Sequence, residues 1–170
     1  MSIFEETQRF RQPWIWILMA VLVGTTGVPL GTGLYQQLVL RHSFGPHSTS
    51  DRTLIGMSLS TFAVIATIIW LMLACYLRVE ARDTALFVRF FPFVRGRVIP
   101  YSEIRTSAAR TYSPIGEYGG WGVRFGRNGK AYNVSGNRGV QLELLSGERL
   151  LLGSQRADEL AATIKEMRNA

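Results

Sequence analysis

The chain has 170 residues, one cysteine, two histidines and a formal charge of +7, with 19 Lys and Arg against 12 Asp and Glu. That length holds one modest folded domain plus an anchor, and a single cysteine excludes an internal disulfide framework. Basic residues are scattered rather than run together, so no nucleic-acid partner is expected.

Positions 1–13 are polar and read as a cytoplasmic N-terminal segment. Two apolar stretches follow, at 14–40 and 53–77, each long enough to cross a bilayer as a helix. Pro13 suits a first helical turn, where its missing N–H costs nothing. Trp14 and Trp16 sit where interfacial aromatics belong. Pro29 removes a backbone hydrogen bond and should loosen the first helix. Gly27 and Gly31, four apart, offer a flat face for packing on the second helix or on another copy. The second stretch carries no charge, and its Cys75 reads as a small hydrophobe rather than an acylation site.

The 41–52 segment is the extracytoplasmic loop of this hairpin. Arg9, Arg11, Arg78, Arg82 and Arg89 flank the other side, against Arg41 and Arg52 in the loop. The positive-inside rule therefore places both termini in the cytoplasm. His42, His47 and Asp51 carry donor atoms, but their spacing fits no common zinc pattern and no metal is expected. Asp51 is read instead as the cap of the second helix, accepting N–H bonds near Thr53.

Residues 78–170 hold fifteen basic against nine acidic side chains, a charge of +6. They alternate as short strands. The pattern predicts strands near 77–83, 85–94, 97–100, 103–111, 120–125, 130–134, 139–145 and 148–153. Arg95-Gly96, Asn128-Gly129 and Ser146-Gly147 read as turns. Ser154 is a plausible N-cap for a closing helix with Leu160, Ile164 and Met167 on one stripe. Seven or eight consecutive antiparallel strands and one amphipathic helix suggest a bent sheet or partly open β-barrel plugged at one end, an α+β membrane protein.

No catalytic signature is present. The histidines lie across the membrane from the β domain, no phosphate-binding loop occurs, and Asp158 and Glu159 suit the first turn of a helix. The Asn133-Val134-Ser135 sequon means nothing in a cytoplasmic domain. Catalytic residues, cofactors and metals are accordingly expected to be absent.

Two segments stand out as candidate sites. Tyr118-Gly119-Gly120-Trp121-Gly122 and Ser135-Gly136-Asn137-Arg138-Gly139 could present backbone N–H groups to an anion, with Arg124 and Arg138 supplying charge and Asn133 and Asn137 hydrogen bonds. The alternative is that these glycines form tight turns and bulges at barrel corners, with Trp121 filling the core. The second segment is Phe90-Phe91-Pro92-Phe93, apolar on both faces. One face fills the core, and Phe87, Phe91 and Phe93 then mark an interface or a contact within the domain.

The strand order and single closing helix resemble the pleckstrin-homology-like (PH-like) domain of bacterial membrane proteins. The opening Phe4-Glu5-Glu6-Thr7-Gln8-Arg9-Phe10-Arg11-Gln12-Pro13-Trp14 resembles an uncharacterised family of small prokaryotic membrane proteins with two transmembrane helices. Tyr35-Gln36-Gln37, Phe90-Phe91-Pro92-Phe93, the 117–124 segment and the 130–142 segment resemble it too. The resemblance implies a PH-like fold in the prokaryotic cell membrane and binding rather than catalysis. The expected partners are the lipid bilayer, a protein partner or second copy, and an anionic lipid head group.

Overall fold

The computed structural model describes residues 2–43 and 49–169. His47 lies outside the described residues. The chain divides into two compact units, Arg11–Leu73 and a β unit made of Met1–Phe10 together with Ala74–Ala170.

The helical unit holds α1 (Pro13–Leu22), α2 (Val28–Leu34) and α3 (Asp51–Ala74). Two π-helical turns, Val23–Gly27 and Tyr35–Val39, extend α1 and α2 into one apolar helix, Pro13–Val39. The first turn directly precedes Pro29, whose missing N–H cannot serve the α-helical ladder. Thr25 and Thr26 hydroxyls there donate to the Val21 and Leu22 carbonyls at 2.8 and 2.6 Å.

Both helices are long and apolar enough to cross a membrane, and only 6% and 11% of their most apolar windows are buried. A core helix of a water-soluble domain would be buried instead. At 1.5 Å per residue they span about 40 and 36 Å. Gly27 faces the second helix, where an added Cβ would lie 3.5 Å from the Phe62 ring. An added Cβ at Gly31 meets nothing within 4 Å, so the two glycines do not share one packing face.

The cap of α3 also differs from expectation. Ser50 takes that role, its Oγ accepting from the Thr53 N–H at 3.3 Å. The Asp51 carboxylate is engaged elsewhere, accepting from Gln37 Nε2 at 2.7 Å, and the same amide donates to the Thr49 carbonyl.

Among the described residues the β unit contains nine strands in two sheets rather than one barrel. The first sheet is β1 (Ser2–Arg9), β2 (Tyr76–Arg82), β3 (Ala85–Phe91) and β4 (Val94–Pro100), antiparallel in that order. The second contains β5 (Ile104–Thr111), β6 (Gly122–Gly126), β7 (Gly129–Asn133), β8 (Arg138–Leu144) and β9 (Arg149–Gly153), ordered β5-β8-β9-β7-β6. A 3-10 turn, Tyr101–Glu103, interrupts the ladder between the sheets. The expected all-antiparallel run also fails at β7 and β9, which pair parallel.

The N-terminal segment is not a free leader. Its strand β1 pairs along β2, with Arg9 opposite Tyr76 and Thr7 opposite Arg78. Another correction concerns the β3–β4 turn, which falls at Pro92-Phe93 rather than Arg95-Gly96. Pro92 has no N–H to donate, so the ladder ends there, and Gly96 lies inside β4.

The core lies between the sheets. Leu77, Val79, Leu86, Val88, Phe90 and Ile99 line the inner face of the first sheet. Phe90 meets Tyr132 of the second sheet with ring centroids 6.5 Å apart. The closing helix α5 (Ala157–Asn169) buries Leu160 and Ile164 and packs on β5, β8, β1 and β2. Met167 is only half-buried.

Ser154 sits before that helix, its Oγ accepting from the Arg156 N–H at 3.0 Å. Its hydroxyl donates to Glu6 of β1, which also accepts from the Gln155 N–H at 2.9 Å. Gln8 Nε2 donates to the Gly153 carbonyl at 2.9 Å. The first strand therefore holds the β9–α5 junction as well as β2. Glu6→Ala should lower the stability of the β unit by about 1–2 kcal/mol, measured by thermal unfolding of the detergent-solubilised chain.

One ion pair joins the sheets. Arg97 of β4 donates to both carboxylate oxygens of Glu148 at 2.7 and 2.6 Å. The Arg97 hydrogen bond holds the Glu148 pKa down to about 2, from 4.5, against the opposing effect of burial. Its stabilisation is fully present above pH 4.5 and is lost as pH falls through about 2. After allowance for solvent screening this contributes on the order of 1–2 kcal/mol. Glu148→Gln should flatten the acid side of the melting-temperature profile across that window, read by circular dichroism.

Candidate functional site

The glycine-rich corner is built by α4 (Pro114–Tyr118), capped by Ser113, whose Oγ accepts from the Gly116 N–H at 3.1 Å. Gly119 closes this turn with φ +69, a left-handed conformation that favours glycine. The structure brings the two glycine segments together, since Trp121 Nε1 donates to the Gly136 carbonyl at 3.0 Å. Arg124, exposed, folds back and donates from Nε to the Trp121 carbonyl at 3.0 Å.

Two of the other candidates, Asn133 and Tyr118, are spent on the fold. Asn133 is fully buried. Its Oδ1 accepts from the Gly122 N–H at 2.9 Å, and its Nδ2 donates to Tyr112 Oη at 3.1 Å. That burial also removes the sequon side chain from any modifying enzyme. Tyr118 is buried in a cluster with Tyr112, Ala131 and Leu151. Its ring meets Tyr112 edge-on at 6.0 Å, and burial pushes both phenol pKa values up. Arg138, exposed, pairs with Asp158 of α5 at 2.9 Å. The Asn137 carbonyl accepts from the Tyr112 N–H at 2.8 Å, while its side chain stays exposed.

Trp121, Arg124, Asn137 and Arg138 therefore keep surface, whereas Tyr118 and Asn133 hold the corner from inside. Asn133→Ala should destabilise the β unit by about 2 kcal/mol, because it leaves a buried N–H and hydroxyl without their partner. Asn137→Ala should change the melting temperature by no more than about 1 °C. Paired thermal melts of the two variants check this contrast.

A polar groove of about 380 Å³ lies beside this corner, lined by Thr106, Arg110, Asn128, Gln141, Glu143 and Arg149. One of its two arginines is matched internally. Arg110 pairs with Glu117 at 2.9 Å and donates to Gln141 and to Tyr118 Oη. Burial opposes ionisation of Glu117, but hydrogen bonds from the Ser113 N–H, Asn128 and Arg110 outweigh it and lower its pKa.

The third candidate region is the outer face of the first sheet. The inner face of β3 is Leu86, Val88 and Phe90, so Phe87, Arg89 and Phe91 point outward. Phe87 is half-buried under the Arg82 guanidinium, 3.9 Å above its ring centroid. Phe91 stacks on Tyr76 at 5.7 Å. Phe93, at the turn, is 63% exposed. Beside them runs a groove of about 360 Å³ lined by Arg78, Glu80, Arg82, Phe87, Arg89 and Arg95.

Sequence reasoning missed the four arginines of this groove. The period-2 pattern of β3 places Arg89 between Phe87 and Phe91, but the strand register that lines it up with Arg78 cannot be read from one strand. Among the described residues no group of three or more His, Cys, Asp or Glu is placed to hold a metal. His42 is exposed. Comparison with known proteins finds no family model and no curated relative that matches the chain.

Proposed function

We propose that this protein is a membrane-tethered, non-catalytic binding module, its two apolar helices crossing a prokaryotic cell membrane and its β unit presented at the cytoplasmic face. One observation carries the reading. The helical stretch is inserted between two strands that pair with each other, with Arg9 opposite Tyr76. A segment that leaves and returns to one sheet must cross a bilayer an even number of times. Two helices of about 40 and 36 Å, with largely exposed apolar side chains, meet that requirement. The same pairing supports common placement of both termini, and the arginines flanking the hairpin favour the cytoplasmic side.

The resemblance to an uncharacterised membrane family with a PH-like domain supports binding rather than catalysis. A strand meander packed on a second sheet and closed by a C-terminal helix is compatible with it. The surface-facing Trp121, Arg124, Asn137 and Arg138 form the first corner to vary for partner capture. A second reading, a subunit acting through its helices, draws on the open face at Gly31, where added atoms meet nothing within 4 Å.

The test is membrane retention with side-specific labelling. The full-length chain should stay in the pellet after alkaline carbonate extraction. In inside-out vesicles, Arg127→Cys should react with an impermeant maleimide and Arg52→Cys should not. A chain recovered in the supernatant overturns the anchor, and both cysteines reacting from one side overturns the hairpin.

A further inference from the structure

We propose that the outer face of the first sheet is a binding site for anionic phospholipid head groups. The proposal rests on the reading of the two apolar helices as membrane spans.

The strand register stacks this face in rows. Arg9, Tyr76 and Phe91 form one row, and Thr7, Arg78 and Arg89 form the next. Arg78 and Arg89 are thus directly opposite, an arrangement of like charges that destabilises a sheet. Arg78 is compensated by Glu5 at 3.1 Å and by Glu80 at 2.5 Å. Glu80 also serves Arg82 at 2.7 Å. Nothing acidic serves the remaining two. Among the described residues Arg89 and Arg95 have no carboxylate partner. Arg89 has only the faces of Tyr76 and Phe91, each 5.8 Å from its guanidinium carbon.

The groove of about 360 Å³ therefore presents four guanidinium groups to one carboxylate over a floor that includes Phe87. With Glu5 also on Arg78, that is a surplus of two positive charges in a concave surface of phosphate-binding chemistry. Its position selects the source of the phosphate. The neighbouring row contains Tyr76, two residues past Ala74, the last residue of the second apolar helix. Arg9 in the same row lies four residues before Pro13, where the first helix starts. One row is two strand residues, roughly 7 Å. The near row of the groove, Arg78 and Arg89, thus lies about 7 Å along the strands from the row where the chain leaves the sheet for hydrocarbon. The exposed Phe93 is at the hairpin turn that begins directly after Phe91 of this row. An aromatic tip beside a basic groove suits an interface that is apolar below and anionic above.

The test uses the full-length chain in neutral detergent with dioctanoyl phosphatidylglycerol or dioctanoyl phosphatidylcholine, read by native mass spectrometry. Phosphatidylglycerol adducts should dominate. The double variant Arg89→Gln/Arg95→Gln should weaken them about tenfold or more. Val98→Glu, which adds a carboxylate at an exposed groove position, should do the same. Arg105→Gln/Arg127→Gln, which removes two arginines elsewhere, should leave binding unchanged. Equal binding of the two lipids overturns the proposal. So does a phosphatidylglycerol preference that survives both groove variants, or full displacement by equimolar inorganic phosphate, which would mean a site for the free ion. Carbonate extraction of the unaltered chain separates the two readings: retention in the pellet without a preference for phosphatidylglycerol sinks the groove alone, and release into the supernatant sinks the anchor.

Discussion

The pairing of β1 with β2 is the constraint on which the rest depends. It joins residues that flank a 63-residue helical unit, Arg11–Leu73, into one antiparallel ladder. Closing so long a loop carries an entropic cost that grows slowly with length, and the ladder and the core beneath it offset that cost. Phe4 is buried on the inner face of this strand, and Phe10 is buried just past its end. Glu6 and Gln8 meanwhile tie it to Ser154, Gln155 and Gly153. Without this strand, β2 would be a bare edge and the β9–α5 junction would lose its hydrogen bonds to Glu5, Glu6 and Gln8.

The strands after the helices were legible because their inward residues recur as apolar at every second position. Leu86, Val88 and Phe90, or Val140, Leu142 and Leu144, announce a buried face at period two. The first strand was not legible, and the reason is physical. Its inward positions include Glu6 and Gln8, which bond to backbone and hydroxyl groups of another element instead of filling the core. A polar residue that finds its partner some 145 positions away looks, in sequence, like a solvated one. The same effect hid the role of Asp51. A carboxylate beside a helix start suggests a cap, yet Gln37 claims it from the neighbouring helix.

The candidate corner shows a similar division. Spacing alone put Trp121 and Gly136 in one neighbourhood, and they do share a hydrogen bond. What spacing could not tell was which side chains face inward. Asn133 is wholly buried because the Gly122 N–H and the Tyr112 hydroxyl both need it. The basic groove depends still more on tertiary register. Arg78 and Arg89 are eleven positions apart and become neighbours only through strand pairing.

The placement of β1 ahead of the helices also governs the order of assembly. A ribosome releases this strand before either apolar segment exists, and its partner only after both. Under the proposed membrane anchoring, the β unit can therefore close only once the intervening hairpin has threaded and returned. A chain that inserted one helix and stalled would leave β1 and β2 in different aqueous compartments, with Phe4 and Phe10 bared to solvent. Under that anchoring, completion of the ladder would require that both helices had crossed.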